Sequence, residues 1–243
     1  MHIAVVNHST LVSNADVQTM TRAVAKQMRY HVAPAWDRTA PSVIYYTSDA
    51  VVPPGSHIIG IFDNADQQGV LGWHTEDAGE AIYGRVFAKP VLDAGGNALT
   101  AGLSIASVLS HEVIEMFGDP TCVLWADDGR GKLHAVELCD PVESDSYVVT
   151  VVDAAGHNVA VMLSNFVLPS WFDPQAKATD HFDYLGRATG PFKLAKGGYE
   201  VYVAEGGQPQ QAFAEEYPEW RKDAKAVRTL LARSQKRSAT TAE

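Results

Sequence analysis

Cysteine is scarce in this chain: of 243 residues, only Cys122 and Cys139 carry a thiol. The two can pair, but they cannot build the disulfide framework that staples small secreted domains. Long apolar runs are also missing; none approaches the ~20 residues needed to cross a bilayer. Positive charge is short, with 19 Lys and Arg against 29 Asp and Glu and a net charge of −10. That balance argues against nonspecific nucleic-acid binding by the body of the chain. The start, Met1 to Asn7, lacks the charged head, long apolar core and small-residue cleavage site of a signal peptide. The expectation is a soluble protein made in the cytoplasm, with neither a membrane nor a nucleic acid as partner.

An apolar fraction of 46% is ordinary for a globular protein. No internal repeat or long linker is visible, so a single domain over 1–212 is expected. A C-terminal helix and frayed tail over 213–243 would follow it. From Glu215 onward seven Lys and Arg face five acids, the reverse of the rest of the chain. Trp220, Val227, Leu230 and Leu231 give this segment a modest apolar stripe beside basic residues. Such a stripe suits packing on the parent domain first, and docking of a protein partner second.

The order of patterns is that of a mixed α/β (α+β) protein. Ile3 to Val6 reads as a buried strand, and Ala15 to Tyr30 as a helix capped by Asn14. Val43 to Thr47 and Ile58 to Phe62 read as strands. Gly69 to Gly84 reads as a polar loop, and Ile82 to Val91 as a strand placed at an edge by Pro90. A helix from Ala98 to Phe117 follows, with Gly118 as its C-cap. Thr121 to Lys132 suits a loop or short hairpin. Tyr147 to Asp153 with Asn158 to Leu163 reads as a hairpin, and Tyr199 to Val203 as a last strand. Leu168 to Pro174 reads as a loop anchored by buried aromatics.

Within the apolar helix one ionisable cluster stands out, Ser110-His111-Glu112-Val113-Ile114-Glu115-Met116. Residues four apart share a helix face, so His111 and Glu115 project side by side. Glu112 lies about 100° round the helix from His111. A His and a carboxylate one turn apart can grip one metal ion, while an adjacent Glu can serve as general base. The alternative is a helix end carrying structural polar groups, but flanking Ile105, Val108, Leu109, Ile114 and Phe117 make unpaired charge costly here. A third ligand is needed, and Asp119, His134, Glu137, Asp140 and Glu143 follow within reach. Glu137 is the preferred one, with Asp140 as a ligand or a supporting hydrogen-bond partner.

His-Glu-x-x-Glu followed by Glu137 resembles the gluzincin branch of the zincin metallopeptidases, over roughly residues 80–145. The segment Ser-His-Glu-Val-Ile-Glu-Met with a following Asp119-Pro120 is also similar to uncharacterised proteins of bacteria and phages. The resemblance implies a zincin-like fold, with a mixed twisted sheet whose edge strand, here Ile82 to Val91, lies beside a buried active-site helix. It implies His111, Glu115 and Glu137 as metal ligands, and Glu112 as the catalytic base that activates metal-bound water against a peptide or protein substrate. Tyr147, His134 and His157 are the candidate oxyanion donors. The family has a second His where this chain has Glu115. Zinc is the first expectation for the cofactor, but the more anionic set moves preference toward manganese, calcium or magnesium. The same departure supports a catalytically silent structural or binding protein, for example a phage virion or host-interaction component. A metal-dependent hydrolase acting on other amides or esters is a further reading. His74 reads first as a structural or surface histidine and second as a cleft residue. Tyr184 reads as an anchored turn.

Overall fold

The computed structural model describes residues 1–66, 70–76, 82–204, 206–219 and 222. The first strand, β1 (His2–Asn7), leads into α1 (Asn14–Gln27), whose N-cap is Ser13 rather than Asn14: its hydroxyl accepts from the Asp16 N–H. The helix runs on through a wide turn, Met28–Val32, into the short α2 (Ala33–Ala35). Next come β2 (Ser42–Tyr46), β3 (His57–Phe62), β4 (Gly72–Glu76) and β5 (Ile82–Phe87). These strands form one mixed sheet in the order β2-β1-β3-β5-β4. All neighbours in it are parallel except β4, which runs antiparallel to β5.

Two expectations fail here. The edge strand is β4, from the stretch read as a polar loop. Ile82 to Val91 is not the edge: β5 ends at Phe87 and lies between β3 and β4. Pro90 belongs to the following helix, α3 (Ala88–Asp93). It stands in the first turn, where a missing N–H leaves no bond unmade. Trp73 and Thr75, flanking His74, are good strand formers and pair with Arg85 and Tyr83.

The helix that carries the ionisable cluster, α4 (Ile105–Gly118), is shorter than the apolar run. Asn97 explains the late start. Its side-chain oxygen accepts from the N–H groups of Leu99, Thr100 and Ala101 at 3.0, 2.7 and 3.0 Å. A side chain that satisfies the backbone in this way competes with helix. Ser104 then starts α4 with a reciprocal cap: its hydroxyl accepts from Ser107 N–H at 3.0 Å, and the Ser107 hydroxyl accepts from Ser104 N–H at 2.9 Å. Gly118 is the last helical residue and Asp119 the C-cap. A Cβ on Gly118 would stand 2.6 Å from the Leu138 side chain. The Arg38 guanidinium lies 4.3 Å from the Phe117 ring centre, beside this helix end.

Every residue of α4 is buried. It packs on α1, β4 and β5, and also on the hairpin of β8 (Ser146–Val152) and β9 (Asn158–Ser164). Ser164 N–H donates to the Ser110 hydroxyl at 2.8 Å, fixing β9 to the helix. Ile105, Leu109 and Ile114 are fully enclosed, and each such side chain contributes about 1.5–3 kcal/mol. That burial offsets the several kcal/mol that each desolvated charge on the same helix costs.

A second sheet is antiparallel. It contains β6 (Trp125–Asp127), β7 (Lys132–Ala135), β10 (Tyr199–Ala204) and β11 (Gln210–Phe213), in the order β11-β10-β7-β6. The single turn Asp140–Val142 packs on β10. Trp171, in the aromatic loop, is buried and its indole N–H donates to Lys193 O at 2.9 Å, as an anchored loop requires. Of the C-terminal helix and tail expected over 213–243, Phe213 instead ends β11 and 215–216 form a turn, while the stretch from Trp220 on, apart from Lys222, lies outside the described residues. Among the described residues no helix is long and apolar enough to cross a membrane.

Candidate metal centre

Three elements meet over the middle of α4. The helix supplies His111, Glu112 and Glu115, the edge strand β4 supplies His74, and the turn after β7 supplies Glu137 and Asp140. The His111 Nε2 atom lies 2.9 Å from Glu115 Oε1 and 3.1 Å from Asp140 Oδ1. On the other side, His74 Nδ1 lies 3.3 Å from Glu112 Oε2 and 3.7 Å from Glu115 Oε2. Among the described residues two groups of three potential ligands result, His111-Glu115-Asp140 and His74-Glu112-Glu115, and each keeps its ligand atoms within 4.8 Å of one another. Their side chains are at most 9% exposed.

The spacing tests whether a metal fits. Ligand atoms about 2.1 Å from one ion stand roughly 3.0–3.4 Å apart at octahedral to tetrahedral angles. The contacts around His111 fall at that spacing, and those around His74 at it or slightly beyond. These buried His, Glu and Asp groups can therefore hold a metal ion.

His111 and Glu115 come together as the helix spacing predicts. Glu137, the preferred third ligand, is in neither group of three, and Asp140 stands at His111 instead. Glu137 is buried close by and acts electrostatically on both Glu115 and His74. Asp119 is fully buried at the helix end, where its Oδ2 accepts from Leu124 N–H at 2.8 Å and orders the loop beyond.

Without a cation this cluster holds on to protons. Burial, reinforced by the Asp140 carboxylate, pushes the Glu115 carboxyl well above its ordinary range, against the pull of His111. Burial alone would lower the two histidines. At His111 the Glu115 and Asp140 carboxylates overcome it and hold the imidazolium well above the usual histidine range. At His74 the electrostatic effect of Cys122 and of the Glu112 and Glu137 carboxylates does the same. Protons bound at such a place are what a metal ion displaces when it binds.

Gly72 lets helix and strand approach. A Cβ there would stand 2.7 Å from Glu112 Oε1 and 2.8 Å from Val108 Cγ1. Beside this contact opens a cavity of about 210 Å³, walled by Leu71, Gly72, Leu103, Val108, His111 and Glu112, with 143–146 across from them. This side of the cluster opens on a space where a small group could sit against Glu112.

Sequence reasoning placed His74 as a structural or surface residue before a cleft one, and the structure puts it inside the cluster. The alternation Gly72-Trp73-His74-Thr75 was the available signal, with small and polar residues on one face of a short strand. Tyr199 was missed: burial raises its phenol well above the ordinary value, with Asp140, Glu143 and Glu115 adding to the effect. The proposed oxyanion donors have other partners. Tyr147 Oη contacts His31 Nδ1 at 2.9 Å and accepts from Gln27 Nε2 at 3.1 Å. His134 Nδ1 lies 2.7 Å from Glu200 Oε2, and His157 is an exposed hairpin residue beside Asp153. Tyr184 stacks on Phe166 and His31, as an anchored turn does. Cys122 and Cys139 are both free thiols.

Compared with protein-family models, with curated proteins and with solved structures, the chain matches none.

Proposed function

We propose that this chain is a metal-dependent hydrolase of the zincin type, acting on peptide bonds. One observation carries the reading: His111 Nε2 stands between Glu115 Oε1 and Asp140 Oδ1 at ligand spacing, with Glu112 beside it at the wall of a cavity. His111, Glu115 and Asp140 would hold the cation, and Glu137 would support the site electrostatically. A divalent ion there supplies Lewis acidity and makes water a better nucleophile near neutral pH. Glu112 takes the proton from the attacking water and returns it to the leaving amine. Its Oε1 atom lies toward Gly72 at the cavity wall, which supports that role.

Metal content and turnover test this together. The purified chain should carry a divalent ion by mass spectrometry. It should cleave casein in a reaction that a chelator stops and added zinc or manganese restores. Bound metal with no cleavage of any peptide or casein substrate would sink the hydrolase reading.

That outcome would leave a silent binding or structural protein, such as a virion or host-interaction component. One observation favours this second reading: His74 lies within 3.7 Å of both Glu112 and Glu115. A protonated ring there gives the would-be base a cationic partner inside the protein.

A further inference from the structure

We infer that the cluster is built for two divalent cations, with Glu115 as the bridge and a second position formed by His74, Glu112 and Glu115. The inference rests on the reading of His111, Glu115 and Asp140 as a cation site. Its first support is the division of one carboxylate. Glu115 Oε1 is 2.9 Å from His111 Nε2, while Oε2 is 3.7 Å from His74 Nδ1. Each oxygen faces a different histidine, which is how a bridging carboxylate sets two ions about 3.5–4 Å apart.

Charge is the second support. Four buried carboxylates, Glu112, Glu115, Glu137 and Asp140, share this space with two imidazoles. Carboxylates packed this closely around neutral imidazoles are a ligand set that divalent cations stabilise.

The third support is where His74 comes from. The edge strand reaches the helix only because Gly72 lacks a side chain where Glu112 Oε1 lies. Glu112 then gives Oε2 to the His74 side and keeps Oε1 at the cavity wall. A carboxylate-rich set with one imidazole per position suits a hard or borderline ion, so manganese is the probe.

The test loads the full-length chain with Mn²⁺, removes free ion by desalting, and measures manganese per chain together with the electron paramagnetic resonance spectrum. Two ions with an exchange-coupled spectrum are expected. His74→Ala should then hold one ion with the six-line spectrum of an isolated centre, with unchanged circular dichroism. A single ion in the unaltered chain, or two ions without coupling, overturns the second position and leaves the His111 site standing. No bound manganese overturns both readings. If His74→Ala does not fold, stoichiometry and coupling in the unaltered chain decide alone.

Discussion

Asp63 and Glu115 are both carboxylates beside the mixed sheet, and their surroundings answer them in opposite ways. Asp63 follows β3 and accepts from Thr10 N–H at 2.8 Å, from the Thr10 hydroxyl at 2.6 Å and from Leu11 N–H at 3.2 Å, as well as from the Ser9 hydroxyl. The Ser9 and Thr10 hydroxyls above all hold its carboxyl down at about 2. Glu115 is buried, faces two imidazoles and further carboxylates, and its pKa moves up. The first group is complete within the chain: its charge is met by hydroxyl and backbone donors, and it closes a loop. The second has an excess of its own sign around it and a cavity next door. Buried acceptors grouped around imidazoles can hold a cation.

The sharpest test of that contrast is Glu112→Gln. It removes one proton acceptor and keeps the shape, so metal at His111, Glu115 and Asp140 should be unchanged. Peptide hydrolysis should fall by about 10²–10⁴-fold, the usual worth of a positioned base. Initial rates on one peptide substrate, with metal content measured on the same sample, check it. A rate that stays within a few-fold of the parent takes the base role away from Glu112.

His111→Ala comes next. It should abolish metal binding at the His111-Glu115-Asp140 position. The unaltered chain should lose thermal stability when chelator strips the ion, by about 2.7 kcal/mol at an ion concentration a hundredfold above Kd. In His111→Ala the chelator response should shrink. His134→Ala is the control, since its ring sits among Trp171, Phe192 and Tyr202 with Glu200 as its partner. That change should lower stability by about 1–3 kcal/mol, through the partner left unpaired, and keep the chelator response. If His134→Ala also lost the metal, the two buried histidines would not differ as argued.

Gly72→Ala probes the junction of strand and helix. The new Cβ must displace either Glu112 Oε1 or Val108. Overpacking of this kind costs about 1–3 kcal/mol. Moving the base by a fraction of an ångström should lower turnover by about 10- to 100-fold. His111, Glu115 and Asp140 do not touch the new atom, so metal at that position should remain. Full activity would show that the strand is not a wall of the reaction space.

Much of this was legible in the residues. Helical spacing paired His111 with Glu115, and short apolar runs bounded by turn residues located β1, β2, β3, β8, β9 and β10. What the spacing could not carry is distance across the fold. His74 enters from a strand whose partner, β5, was itself assigned to the edge, so no local pattern could send it toward Glu112. Glu137 and Asp140 are three residues apart, and only the tight turn Asp140–Val142, packed on β10, decides that Asp140 reaches His111. The helix start was misplaced for a local reason. The apolar run from Ala98 looks helical by composition, but Asn97 had already taken three of its N–H groups. Tyr199 carried no signal at all, because a tyrosine in a strand reads as packing until the neighbouring turn is known.

The smallest effect belongs to Asp63, and it sharpens the comparison from the other side. Its folded carboxyl titrates at about 2, below the ordinary 3.8. The native state therefore gains stability from the ionised form. That gain is fully present above the unfolded pKa and is lost as pH falls through the folded one. Asp63→Asn should lower Tm slightly at every pH above about 4, the unfolded carboxylate range. The gap between variant and parent should narrow below that and close near pH 2. Thermal melts of both proteins across this range measure it, and metal content and hydrolysis at neutral pH should match the parent. A gap that stayed constant down to pH 2 would mean that the Ser9 and Thr10 donors serve Asn as well as Asp. The loop would then be held by shape, and the charge of Asp63 would not distinguish it from Glu115.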